Sequence, residues 1–532
     1  MRTGMKRSDR AGRRTWLVAL LTMTLLTGCG GTAVSPSPSL IPPGPTLMPS
    51  GAAPPATPSL APIPSVTPGP TSIAGPVESS GPSTGEAPAG LAISAVARAA
   101  ADPTLARSAA SNIDAFGLAL YRQLLSDPSL GLAGHNAVIS PTSIALALGM
   151  ALPGAKGTTA AQMASVLQTS GWSAFGPGLN ALEQALVSRD AAWTDDAGDH
   201  ALALRIANAA YGQAGWTIEQ PYLDAIKVAF GAGLRLADFA ADPDSARAAI
   251  NAWVKEQTAG RIPQLLGPVD ITTLTRLVLV NAMYLKAGWE VPFVEQGTGP
   301  ASFTRLDGST VQVPTMRGMG GEGGGMRPIP YASGNGWQAV ELRYRGGPGS
   351  TNTPLAMTLL LPRDLAAFGQ HLSAAQLDRI TGALEAQRAT FDTFISCPWA
   401  KAGDYPSCYP YALQLYLPRF SIETRADLKA PLQALGMSLA FDPVAADFTG
   451  IHVPQGETDR LFVSKVVHQA NIDVDERGTE AAAATAVIGG TGGGPGAARE
   501  ITLRLDHPFV FFVRDLATGA VLFMGQVTDP SA

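Results

Sequence analysis

The sequence predicts a mixed α+β fold, and three observations lead there. Some segments place apolar residues at helical spacing, while others are short apolar runs bounded by breakers, as buried strands are. The two kinds interleave without the strict alternation of a parallel α/β sheet. Of 532 residues, 46% are hydrophobic and 15% charged, enough apolar material for a large core. Charge this sparse, at a net of −5, excludes a long coiled coil and a basic nucleic-acid coat, so no nucleic-acid partner is expected. Three cysteines exclude a disulfide scaffold and an all-cysteine zinc cage.

The first 28 residues read as an export signal. Arg2, Lys6, Arg7, Arg10, Arg13 and Arg14 make a basic start, and residues 16–26 are apolar. Eleven residues are too few to span about 30 Å of hydrocarbon as a helix, but suit a signal-peptide core. Leu26-Thr27-Gly28-Cys29 then resembles the bacterial lipobox, whose thiol accepts a diacylglyceryl group. The expectation is a lipid on Cys29 and a protein outside the cytoplasm, anchored to the bacterial cell membrane or released outside the cell. The alternative is an ordinary secretory signal with a chance cysteine. Arg13-Arg14 also leaves twin-arginine export open.

Residues 29–91 read as a tether. Positions 30–90 hold sixteen prolines, two charges (Glu78 and Glu86) and no aromatic residue. Such a stretch cannot bury enough apolar surface to offset its ordering entropy. At about 3.1 Å per residue in a proline-biased extended form, sixty residues reach somewhat under 190 Å. The tether contains Gly81-Pro82-Ser83-Thr84-Gly85, a literal G-x-S-x-G, but the strand and helix that a nucleophile elbow needs do not flank it.

Residues 92–532 read as the folded unit. Ile113, Phe116, Leu120 and Leu124 predict a helix over 112–125. A second, densely apolar helix follows the break at Pro141, and 247–254 and 426–435 also read as helices. Residues 277–285 and 356–361 are apolar runs that suit buried strands. Gly318-x-Gly320-x-x-Gly323 matches a dinucleotide fingerprint formally, but Pro328 and Pro330 bar the helix it requires, so a loop is expected. The histidines at 135, 200, 371, 452, 468 and 507 have no metal-ligand spacing, and neither metal nor cofactor is expected. Cys397 and Cys408 are expected to form a disulfide outside the cytoplasm, two free buried thiols being the alternative.

Residues 461–474 predict a long strand, and 501–505, 509–513 and 521–526 predict three more. Between the first two runs, both expected to be buried strands, lies a loop of about twenty residues, which compact domains seldom carry without a use. Its first half is written like a strand: Thr479, Ala481, Ala483, Thr485 and Val487 are small or β-branched at spacing two. It could slide between existing strands without overfilling a core, with Gly478 as its hinge.

These segments are similar to the serpin family over nearly all of 112–530. The hinge Glu476-x-Gly478-Thr479-Glu480-Ala481-Ala482-Ala483-Ala484-Thr485 resembles that of inhibitory members. The runs 461–470, 506–513, 523–527, 280–289 and 251–254 match in kind and order, as do Leu417-Pro-Arg-Phe420 and 446–450. The departures are the glycine-rich 318–325, the segment holding Cys397 and Cys408, and a lengthened loop at 489–496.

The resemblance implies three β-sheets, about nine helices and an exposed reactive loop at about 476–500. It implies a monomeric inhibitor consumed as a substrate rather than an enzyme. A target serine protease would acylate itself on the loop, and the freed segment would insert into the largest sheet. Ser140, Ser143, Asn281 and His468 would form the polar cluster at which that sheet opens, with Trp289 near the point where the loop enters. Counting seventeen residues from Glu476 puts the scissile bond at Gly492–Gly493; counting back from Pro508 puts it near Ala497. The first register is preferred because the inserting strand has a fixed length. Small residues there imply an elastase-like or subtilisin-like target. Each glycine in the new strand costs about 0.5–1 kcal/mol, which slows insertion. A non-inhibitory serpin serving as a surface binding or structural protein is the alternative.

Overall fold

The structure, a computed structural model, describes residues 90–532 except 128–129, 131, 196–197, 319–328, 348–354, 395–410 and 480–499. Cys29, Cys397, Cys408, the hinge beyond Thr479, and Gly492 and Gly493 lie outside the described residues.

The chain enters through a two-residue strand β1 (Leu91–Ala92) and a long helix α1 (Pro103–Ser126). The helix starts nine residues before the expected 112. Asp102 caps it by accepting Thr104 N–H at 3.0 Å, and Pro103 fits the first turn, where its missing donor costs nothing. Its first turns bury Ala106, Ala109 and Ala110, a face too small to stand out in the sequence. Next come β2 (Ala137–Ile139) and α2 (Pro141–Ala151), the latter capped by Ser140 and buried along its whole length. Helices α3 (Gly157–Val166) and α4 (Trp172–Val187) lead to β3 (Ala191–Asp195) and β4 (Gly198–Gln213).

Helix α5 (Gln220–Phe230), strand β5 (Leu234–Ala237) and helix α6 (Pro243–Gln257) precede the central strand β6 (Leu277–Gly288). Strands β7 (Gly299–Thr304), β8 (Thr310–Arg317), β9 (Tyr331–Gly334), β10 (Trp337–Arg343) and β11 (Leu355–Pro362) follow. Then come α7 (Leu365–His371), α8 (Ala374–Phe394), β12 (Ala412–Pro418), β13 (Phe420–Asp427) and α9 (Lys429–Ala434). The chain closes with β14 (Val463–Val474), β15 (Gly478–Thr479), β16 (Glu500–Arg504), β17 (Phe509–Asp515) and β18 (Val521–Val527).

These strands form three sheets. Sheet A has the order β1-β5-β4-β6-β15-β14-β13, with β3 against β4; sheet B is β2-β18-β17-β11-β10-β9; sheet C is β16-β12-β8-β7. Nine α-helices are present among the described residues, so the architecture agrees with the expected mixed fold. The main core includes Phe116, Leu146, Leu279, Phe509 and Phe511, joining one face of sheet A to sheet B and the helices. A second cluster, under α6, lies on the other face of sheet A.

Two expectations need correcting. The helix expected at 426–435 spans Lys429–Ala434, because Ala426 and Asp427 finish β13 in register with His468 and Val467. The strand expected at 501–505 is not buried. In β16 only Leu503 is covered, because the strand lies at the margin of sheet C, paired with β12 alone. The long loop therefore joins the middle of sheet A to the edge of a different sheet.

Candidate functional site

The site is built around the seam between β6 and β14. Below, these strands pair in parallel, from Leu277 with Val463 to Met283 with Ala470. Above, they separate, and β15 fills the gap. Thr479 pairs with Val474 on one side and Ala287 on the other, while Gly478 pairs with Gly288. The first two residues of the strand-like loop thus already lie inside the sheet. Where the strands part, a small cavity is lined by Met283, Tyr284, Leu285, Asn471 and Asp473, together with Arg261.

The reversal from β14 into β15 is short and heavily tied. The Asp475 carboxylate accepts the N–H groups of Arg477 at 2.8 Å and Gly478 at 3.1 Å. Trp289 grips the outside of the turn. Its N–H donates to Arg477 O at 2.8 Å, and its indole Nε1–H donates to Asp475 O at 2.9 Å. The indole stacks on the Tyr344 ring at 4.6 Å. The Tyr344 hydroxyl lies 2.6 Å from Thr479 Oγ1, and both side chains are buried.

Gly478 is not in the left-handed region, so conformational freedom is not what its position requires. Its missing side chain is. A Cβ there would stand 2.2 Å from Ala287 O and 2.7 Å from Gly288 Cα. Only glycine lets β15 approach β6 this closely. In this state, what Gly478 supplies is space.

Glu476 anchors the turn from below. Arg419 Nε donates to both carboxylate oxygens at 2.9 Å, Arg419 Nη2 lies 2.8 Å from Oε2, and Thr298 donates to Oε1. Burial alone would raise this carboxyl; the hydrogen bonds from Arg419 and Thr298 outweigh it and hold it below its ordinary value.

Ser140, Ser143, Asn281 and His468 meet on the inner face of sheet A, all of them buried. His468 and Asn281 are register partners across the seam. His468 Nε2 accepts Ser140 N–H at 3.1 Å, which places the proton on Nδ1, facing Asn281 Oδ1. Asn281 Nδ2 donates to Ser143 Oγ at 2.6 Å and to Asn208 Oδ1 at 2.9 Å, and Ser143 Oγ donates to Asn208 at 3.0 Å. Burial pushes the His468 imidazole down to about 3, so it is neutral at ordinary pH. Strand β14 is thereby bonded through side chains to β6, and β6 to β4 and α2.

The five residues fall in two places. Trp289, the residue after β6, lies eight residues along the chain from Asn281, about 26 Å at ~3.3 Å per residue. It belongs to the turn where the loop enters, the other four to the paired half of the seam. Four partners went unexpected: Asn208, Tyr344, Arg419 and Thr298. Asn208 had a signal, since it is the polar member of an apolar face at spacing two, Leu202, Leu204, Ile206, Asn208, Ala210.

A serpin (serine protease inhibitor) family profile matches residues 111–530. The chain belongs to the serpin family. This serpin is similar to leukocyte elastase inhibitor A of Mus musculus, 33% identical over 418 residues that cover 78% of this chain and 97% of that protein. It is similar to serpin B10 of Otolemur garnettii, 32% identical over 443 residues covering 79% and 99%. Native protease nexin-1, solved with heparin, superposes with a TM-score of 0.60 at 29% identity, covering 81% of this serpin and 100% of that chain. The native thermophilic serpin tengpin superposes at 0.62 with 23% identity, covering 82% and 96%, and that likeness concerns the fold alone.

Proposed function

We propose that this serpin is a surface-anchored inhibitor of serine proteases that works by being consumed. The target cleaves the loop after Gly492 or close to it and remains on it as an ester. The freed strand, begun by Gly478 and Thr479, then fills the seam between β6 and β14. Fifteen inserted residues at about 3.3 Å each would carry the protease roughly 50 Å. Pulling on the acylated residue disorders an oxyanion hole that must be aligned to a fraction of an ångström, and deacylation stops. The native state is then held by kinetics. Small residues at the cleavage region favour elastase-like or subtilisin-like targets, in keeping with relatives named as elastase inhibitors. Lipid on Cys29 would hold the molecule on the outside of the cell membrane.

The observation that carries this reading is the position of β15, two residues deep in a sheet whose neighbouring strands have already parted. The test is incubation of the protein with elastase-like, subtilisin-like and trypsin-like proteases, followed by denaturing gels and intact mass. A denaturant-stable adduct, with a released C-terminal peptide starting near Gly493, is expected. Cleavage with neither an adduct nor any rise in thermal stability would overturn the reading.

A further inference from the structure

The seam is also held on its outer face, by residues 258–276, which connect α6 to β6. Two different kinds of contact hold them. Towards the middle of the sheet the contacts are apolar: Ile262, Leu265 and Leu266 belong to one buried cluster with Ala209 of β4 and Val278 and Val280 of β6. Val467 reaches the same cluster from β14. Towards the other side the contacts are ionic. Asp270, whose side chain is only 9% exposed, lies 3.1 Å from Lys465 Nζ of β14 and is also paired with the Arg425 guanidinium of β13. Lys465 pairs in turn with Asp427 at 2.7 Å, and Arg425 Nε donates to Leu265 O at 2.8 Å. Nearer the open end, Arg261 pairs with Asp473 of β14.

A strand added between β6 and β14 pushes them about 4.8 Å further apart. The connector cannot then keep both its apolar seat on β4 and β6 and its ion pairs on β13 and β14. The apolar seat is the larger, so the ion pairs are the side that breaks. Their order follows from register. Thr479 stands opposite Ala287, so nine residues further along the two antiparallel strands residue 488 would stand opposite Val278, the register partner of Lys465. The Arg261–Asp473 pair is met early, and the Asp270 pairs only late. The residues still to enter at that stage are Gly489, Gly490, Thr491 and Gly492, the part of the loop with least to gain from becoming strand.

We propose that Asp270 is a positioning residue for the inhibitory reaction: its pairs with Lys465 and Arg425 latch the α6–β6 connector across the seam and slow the last stage of insertion. The proposal rests on the insertion reading given above. It also sets the partition between trapping and turnover, because insertion competes with deacylation.

The test uses the full chain with Asp270→Asn. The loop is cut by a protease that is then inhibited chemically, and the rise in thermal stability is followed against time at low and high salt. The variant should insert faster by about fivefold at low salt, the scale of a partly exposed ion-pair network. Salt should accelerate the wild type more than the variant, which keeps the Arg261–Asp473 pair but has lost the Asp270 pairs that screening also releases. A structural loss alone would not reduce the salt response. The stoichiometry of trapping should also fall towards one inhibitor per protease. Equal rates and equal salt responses would overturn the latch. Stability that rises in neither protein would overturn insertion itself, and the latch with it. Arg425→Gln removes one of the two Asp270 pairs and should give a smaller acceleration of the same kind if Asp270→Asn fails to fold.

Discussion

The hydroxyl of Tyr344 lies 2.6 Å from Thr479 Oγ1, beneath the indole of Trp289. On the insertion reading proposed above, the first inward-facing residue of the inserting strand has a prepared, buried partner before any protease arrives. Thr479→Arg should empty this seat, because a guanidinium has no counter-charge there and its burial costs several kcal/mol. The variant should be cleaved without forming an adduct, and its cut form should melt where its uncut form does. Thr479→Val keeps the shape and leaves the Tyr344 hydroxyl unpaired, at a cost of about 1–3 kcal/mol. It should still trap. Gel assays of both variants against one protease decide between them.

Gly478→Ala probes the same seat from the backbone side. Its Cβ meets Ala287 O and Gly288 Cα, which are main-chain atoms and cannot rotate away. Overpacking of this kind costs about 1–3 kcal/mol. The expected result is withdrawal of β15, seen as faster protease cleavage of the loop and a changed Trp289 fluorescence. An unchanged emission spectrum and cleavage rate would show that β6 yields instead.

Much of this fold was legible, for reasons that differ by element. Strands β6, β11 and β14 were clear because buried strands leave continuous or alternating apolar runs. The first turns of α1 were not, because alanine marks a close helix contact without the bulk that periodicity detects. Residues 426 and 427 read as helix locally, and cross-strand pairing with β14 overrode that preference. The loop could be recognised as strand-like, yet nothing local said that it links two different sheets. Asn281, His468, Ser140 and Ser143 came from resemblance, as polar residues in apolar runs. Tyr344 and Arg419 escaped because they reach the hinge only through the tertiary fold, from 135 and 57 residues away.

Glu476 and Arg419 hold the turn through a carboxylate that is nearly covered and a guanidinium that is half exposed. Glu476→Gln preserves the shape and removes the charge. The loss should be about 1 kcal/mol, kept small by the solvent that reaches Arg419. The consequence for the fold is larger than the number, since this turn closes the open end of the seam. The variant should polymerise faster on mild heating, as read on native gels, with its loop cleavage rate raised. The sign with pH follows: a carboxyl held below its ordinary 4.5 contributes stability above that value and loses it as the pH falls further. Wild type and variant should therefore converge in acid.

His468 bonds β14 to Ser140 on one side and to Asn281 of β6 on the other, and its imidazole is neutral. An unfolded histidine takes up a proton near 6.5, whereas this one does so only near 3. Between those values the unfolded chain binds a proton that the native chain does not. The neutral imidazole's contribution is therefore complete above 6.5 and lost as the pH falls, by up to about 1.4 kcal/mol per pH unit from this residue. Protonation would also remove the acceptor that Ser140 N–H uses, so acid should loosen the seam itself. His468→Ala strands Ser140 N–H and Asn281 Oδ1 at neutral pH, at about 1–3 kcal/mol for each unpaired group. It should polymerise at a lower temperature. His468→Gln, which carries no titrating group, should lose less stability than wild type between about pH 7 and pH 5. Denaturation midpoints of the three proteins at both pH values test this, and equal losses in wild type and His468→Gln would remove His468 from the account of acid sensitivity.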